Sequence, residues 1–327
     1  MQDQTHRFVH ANRLRMHVVE QGEGPVVLLC HGFPETWYSW RHQLPALAEA
    51  GFRAVAPDLR GYGATDRPSS ITHYSLFHLV GDMVALLDAL DTDTAVIVGN
   101  DWGATLAWQA VLMRPDRFRA IVALGVPMLP RSPMPPTEIF PRTEAELFYA
   151  LYFQEPGVAE AEFDRNPRST LLKLMFAASG DAGSRKPVDG TPNPFGMVAK
   201  ESGLLASLPD PGSVPAWLSE ADLDVAESAF KQSGFAGGLN YYRNMDHDWE
   251  LQASLAGMKV QVPALYLAGE RDVGLAIPGM RELIDSMPER VPALCKSEFV
   301  AGGGHWLQQE KAGEVNTALV SFLSALA

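Results

Sequence analysis

Ala95-Val96-Ile97-Val98-Gly99-Asn100-Asp101-Trp102-Gly103-Ala104 sets a short apolar run against a glycine-flanked acid and then enters a helical pattern. A buried strand that turns directly into a helix, with small residues two before and two after the central one, has the spacing of a nucleophile elbow. Such a turn is strained and lifts its central side chain above a sheet at a helix N-terminus. The central residue is Asp101. An aspartate there could equally serve as the N-cap of the helix, so this stretch alone leaves nucleophile and cap on equal terms.

Working outward, four further runs share the near-continuous apolar character of strands buried on both faces of a parallel sheet: Val26 to Cys30, Phe52 to Ala56, Ile121 to Leu124 and Ala264 to Ala268. Helical patterns separate them at Trp37 to Ala50, Tyr74 to Leu90 and Ala104 to Arg114, and another closes the chain at Glu314 to Ala327. Arg7 to His10 and Leu14 to Gln21 read as a hairpin of edge strands. Alternating strands and helices predict an α/β fold with a mostly parallel sheet. The alternation stops near Pro130 and resumes near Val262. The stretch between carries helical patterns at Thr143 to Tyr152, Ser169 to Ala178 and Glu220 to Ser233 and no convincing strand. It also carries a loop, 179–215, with 17 Gly, Pro or Ser in 37 positions. The expected division is a core of residues 1–130 and 246–327 with a helical insertion, 131–245.

Composition narrows the function. The chain has 327 residues, 46% hydrophobic and 20% charged, and 26 basic against 39 acidic residues give a net charge of −13. That acidity disfavours phosphate backbones and anionic lipid surfaces, so neither nucleic acid nor membrane is expected as a partner. Cys30 and Cys295 lie far apart in apolar surroundings and read as buried free thiols. The N-terminus lacks the basic start and apolar run of a signal peptide, which predicts a cytoplasmic protein. A homodimer is compatible with the sequence.

His31-Gly32-Phe33-Pro34 follows the strand one βα unit upstream of the elbow, where this architecture needs a backbone N–H for an oxyanion hole. That placement favours the nucleophile reading of Asp101. A catalytic histidine should follow a late strand, and of nine histidines only His305, in Gly302-Gly303-Gly304-His305-Trp306, does so. His6, His10, His17, His42, His73 and His78 read as surface or packing residues, and Asp246-His247-Asp248 as a solvated loop rather than a metal site. The acid orienting the histidine should lie in Gly269-Glu270-Arg271-Asp272. Glu270 and Asp272 both qualify, and Asp272 is preferred. Nucleophile, acid, histidine is the chain order of α/β-hydrolases.

These segments resemble the soluble epoxide hydrolases of the α/β-hydrolase superfamily over essentially the whole chain. The resemblance rests on His31-Gly32-Phe33-Pro34, Asp58-Leu59-Arg60-Gly61-Tyr62-Gly63, Asp101-Trp102-Gly103 and Gly304-His305-Trp306. More specific are Tyr149-Ala150-Leu151-Tyr152-Phe153-Gln154-Glu155-Pro156-Gly157 and Leu239-Asn240-Tyr241-Tyr242-Arg243-Asn244-Met245, which are similar to the cap segments bearing the family's two ring-opening tyrosines. The resemblance implies Asp101 as nucleophile, His305 and Asp272 as the water-activating pair, and Tyr149 and Tyr242 as acids on the epoxide oxygen. It implies the N–H groups of Phe33 and Trp102 as oxyanion hole, and His31, Pro34 and Trp306 in the substrate pocket. The partners are an epoxide and water; no cofactor or metal is expected. Asn100 departs from the family, which usually has His before the nucleophile, and is expected to shape the elbow. The phosphatase-like domain that precedes the hydrolase in mammalian relatives is not expected here.

Three rivals are weaker. A haloalkane dehalogenase shares the Asp nucleophile and Trp102, but often has Asn where Phe33 stands. A fluoroacetate dehalogenase would need Arg where Trp102 and Thr105 stand. A non-catalytic hydrolase-fold binding protein would be expected to lose His305 or the nucleophile.

Overall fold

The computed structural model describes residues 4–182 and 196–326. The chain opens with β1 (Thr5–Ala11) and β2 (Leu14–Gln21), then β3 (Val26–Cys30), β4 (Arg53–Pro57), β5 (Ala95–Asn100) and β6 (Phe118–Leu124). Between β6 and the strands that complete the sheet lie two short strands, β7 (Glu146–Phe148) and β8 (Met197–Ala199). The sheet resumes with β9 (Ala264–Gly269) and ends with β10 (Leu294–Val300). Its order is β1-β2-β4-β3-β5-β6-β9-β10, with only the β1–β2 and β2–β4 pairings antiparallel. This is the mostly parallel α/β sheet expected from the alternation, in the α/β-hydrolase architecture that the resemblance implies.

Residue alternation explains the layering. On β5, Ala95 and Ile97 face one hydrophobic core and Val96 and Val98 the other. Neighbouring β3 does the same, with Leu28 and Cys30 on one side and Val27 and Leu29 on the other. Both faces are therefore covered, which is why these runs are continuously apolar. The helices α1 (Gln43–Glu49), α2 (Leu76–Ala89) and α3 (Trp102–Met113) connect the strands. Among the described residues no helix is long and apolar enough to cross a membrane.

Several expectations need correction. Trp37 to Ala50 is not one helix: a 3-10 turn at Trp37–Trp40 precedes α1. The insertion does contain strands, since β7 and β8 pair antiparallel, and Thr143 to Tyr152 divides into β7 and a single turn, Tyr149–Tyr152. Three-residue strands leave too little periodicity to read. Of the loop 179–215, positions 183–195 lie outside the described residues; the remainder holds β8 and the short turns Gly180–Ala182 and Leu204–Ser207. Cys30 is buried, but Cys295 is exposed on β10, an edge strand too polar to stand out as an apolar run. Asp246-His247-Asp248 is helical, within Met245–Leu251, and Asp248 is buried with its carboxylate on the N–H of Leu76 at the start of α2 (2.8 Å).

Candidate active site

The elbow is built by close packing. A Cβ on Gly99 would lie 2.1 Å from the Gly103 carbonyl oxygen, and one on Gly103 would lie 2.0 Å from that of Cys30. Asp101 itself holds φ 53° and ψ −122°, a conformation costly for any residue other than glycine. Its carboxylate makes no capping hydrogen bond to α3. Oδ1 instead accepts from the backbone N–H of Phe33 at 2.9 Å, and Oδ2 lies 3.2 Å from His305 Nε2. The cap alternative is thereby excluded. Trp102 heads α3 beside it.

His305 Nδ1 is 3.1 Å from both oxygens of Asp272, whose Oδ1 also accepts from Gly274 N–H. Glu270, the other candidate acid, is exposed and accepts from Gly302 N–H at 3.3 Å. Burial opposes charge on His305, yet the Asp272 and Asp101 carboxylates outweigh it and hold the imidazole well above its ordinary pKa. The two carboxylates thus favour the charged form of the imidazole in the resting site.

Tyr149 and Tyr242, 93 positions apart in sequence, stand with ring centroids 5.9 Å apart. Tyr242 also packs edge-on against Trp102, Phe33 and Phe153. Burial, then the negative charge of Asp101, raises both hydroxyls above the usual tyrosine range. Both hydroxyls are therefore held in the protonated form.

The remaining expected residues are more structural. His31 is fully buried, with Nδ1 on the Gly32 carbonyl (2.9 Å) and Nε2 accepting from Leu59 N–H (3.0 Å). Burial pushes it down to about 4, so it is neutral with both nitrogens engaged, and it braces the loop 32–34 rather than offering a free polar atom. Pro34 follows a cis peptide bond on that loop. Trp306 is buried, packs against the His305 ring at 4.9 Å and donates its indole N–H to the Met175 carbonyl (2.7 Å). Asn100 donates through Nδ2 to the carbonyls of His305 (3.1 Å) and Leu124 (3.4 Å), tying the histidine loop to the sheet.

Glu35 was not anticipated. It is buried beneath the loop, accepts from Gln308 Nε2 (3.0 Å), Gln309 Nε2 (2.8 Å) and Gly32 N–H (3.3 Å), and is pushed up to about 7, chiefly by burial. A glutamate in a turn next to proline reads as solvated; only the packing of the residues after His305 encloses it.

Comparison with known proteins agrees with this geometry. Residues 25–312 match the α/β hydrolase fold family. The chain is 44% identical over 325 residues to epoxide hydrolase A of Mycobacterium tuberculosis, covering 98% of each chain. It is 41% identical to epoxide hydrolase 3 of Siraitia grosvenorii, covering 98% of each. The structure of an epoxide hydrolase from an endophytic Streptomyces superposes with a TM-score of 0.92 at 43% identity, covering 99% of this chain and 96% of that one. An uncapped, strained aspartate facing a carboxylate-backed histidine, on a fold and sequence shared over full length with these enzymes, identifies the chain as a member of the epoxide hydrolase family of α/β-hydrolases.

Proposed function

We propose that the protein hydrolyses epoxides to vicinal diols in two half-reactions through an ester on Asp101. The reading is carried by one observation: Asp101 leaves its helix uncapped and directs its two oxygens to Phe33 N–H and His305 Nε2. With Oδ1 engaged by Phe33, Oδ2 is the attacking oxygen. It bonds to one ring carbon as the C–O bond of the strained ring breaks. Tyr149 and Tyr242 hydrogen-bond the departing oxygen, and one of them supplies the proton. The insertion, residues 131–245, acts as a cap that delivers these tyrosines to a core of residues 1–130 and 246–327.

Esterification removes the Asp101 charge from beside His305. One of the two carboxylates that raise its pKa is then lost, so the imidazolium gives up its proton, which restores the tyrosinate through solvent. The neutral imidazole can then accept a proton from water and later return it to the leaving diol oxygen. Hydroxide attacks Cγ of the ester, and Oδ1, already on Phe33 N–H, takes the developing negative charge with help from Trp102 N–H. Such donors contribute about 3 kcal/mol each. Collapse releases the diol with Oδ2 and leaves the water oxygen on Asp101.

The test is His305→Ala. It should still be alkylated by a reactive epoxide, and intact-protein mass spectrometry should show one substrate mass accumulating on Asp101. An unmodified mass after long incubation, with the fold intact, overturns the covalent mechanism.

A further inference from the structure

His305 follows Gly302-Gly303-Gly304, and glycine surrenders more backbone freedom on ordering than any other residue. A loop of this composition holds an imidazole in place only if its peptides are tied down. The peptides on either side of the histidine are tied to one side chain. Gly304 N–H donates to Glu310 Oε2 at 2.9 Å, and Trp306 N–H donates to Oε1 at 3.0 Å. Glu310 Oε2 also accepts from Gly180 N–H, just beyond the helix Pro167–Ala178 of the insertion, at 2.8 Å. Three backbone donors on one carboxylate are charge-assisted bonds, stronger than neutral ones.

The same junction is stitched from both sides. His305 N–H donates to the Ala178 carbonyl (3.0 Å), and the Arg271 guanidinium donates to the Gly180 carbonyl (3.1 Å). Contact is close enough that a Cβ on Gly304 would lie 2.1 Å from Gly180 N. Every peptide N–H from Gly304 to Trp306 is therefore directed to Glu310 or to the insertion.

We propose that Glu310 is a positioning residue for the water-activating step, clamping the His305 loop against the end of the insertion helix. This rests on the reading that His305 activates water against an Asp101 ester. Alkylation depends on Asp101, Phe33 N–H and the two tyrosines, none of which Glu310 bonds. Hydrolysis depends on where His305 Nε2 stands relative to water and ester, and a displacement of about 1 Å can cost on the order of a hundredfold.

Glu310→Gln keeps the shape but substitutes an NH₂ for one acceptor oxygen, setting it against N–H donors. Steady-state rates, normalised to the single-turnover burst so that only folded enzyme counts, should show kcat reduced about ten- to hundredfold. KM should fall in proportion and kcat/KM should stay within about twofold, because kcat/KM reports the steps through alkylation. Glu310→Asp keeps the charge but is a methylene short of spanning the three donors, and its kcat should fall similarly. Parallel loss of kcat and kcat/KM, an unchanged kcat in Glu310→Gln, or a wild-type kcat in Glu310→Asp overturns the clamp. His305→Ala run alongside separates the two ideas. Ester on that variant with no hydrolytic defect in Glu310→Gln refutes the clamp alone, whereas no ester on His305→Ala refutes the covalent reading and the clamp with it.

Discussion

Replacing Tyr149 and Tyr242 by Phe, singly and together, isolates the ring-opening step. Ring oxygen gains negative charge as the C–O bond breaks, and a hydrogen bond to a charged group is worth about 1.5–3 kcal/mol. At 1.36 kcal/mol per tenfold in rate, losing one hydroxyl should slow alkylation roughly ten- to hundredfold. With ring centroids 5.9 Å apart, both hydroxyls can converge on one oxygen, so each partly covers for the other and the single losses need not add. The double variant lacks any such cover and should lose on the order of 10³-fold or more. The fold should survive, because the aromatic packing of Tyr242 on Trp102 (5.1 Å) and Phe153 (4.9 Å) needs the ring and not the hydroxyl. Single-turnover alkylation, followed by tryptophan fluorescence or rapid-quench mass spectrometry, reads the step directly, with circular dichroism as the folding control. A folded double variant that opens epoxides at near wild-type rate would refute the assignment and place the acid elsewhere.

The pH dependence should also separate the half-reactions. Loss of the Asp101 charge on esterification lowers the His305 pKa from its raised resting value. The midpoint of single-turnover hydrolysis, which rises with pH as His305 deprotonates, should therefore lie below the midpoint of a resting-enzyme NMR titration; equal midpoints contradict the sequence of charges. Gly32→Ala should abolish most activity, about a hundredfold or more, without unfolding the protein, since its Cβ would lie 2.4 Å from Asp101 Cβ and 2.6 Å from Oδ1. Its activity and melting temperature together check this. Asp248 offers a stability test: burial pushes its carboxyl from 3.8 up to about 7. The folded state then retains a proton that the unfolded state releases between about pH 4 and 7, so stability falls across that window and the cost persists above it. Asp248→Asn keeps an acceptor for Leu76 N–H and should be more stable than wild type at pH 8, by at most roughly 4 kcal/mol at 1.36 kcal/mol per pKa unit, while matching it near pH 4. Urea melts at the two pH values measure the difference, and an equal effect at both would contradict it.

What the sequence determined by itself was whatever local pattern dictates. Five apolar runs predicted the interior strands because a strand covered on both faces has no polar side to alternate with. Gly99 and Gly103, two before and two after Asp101, announced the elbow because only residues without bulk fit those positions of the turn. Chain order along the sheet then led to Asp272 and His305. Tertiary structure decided the rest. Whether Asp101 capped its helix or turned toward His305 depends on Phe33, 68 positions away, presenting its N–H to the carboxylate. β10 is an edge strand with exposed positions, so burial left no periodic mark on it. β7 and β8 are held by each other across 48 positions of sequence, which three-residue segments cannot signal locally. Glu35 and Glu310 read as ordinary polar residues, Asp248 as part of a solvated loop and His31 as a pocket residue. Their burial and their partners come from segments distant in sequence, and a polar side chain takes its role from the donors and acceptors that folding places around it.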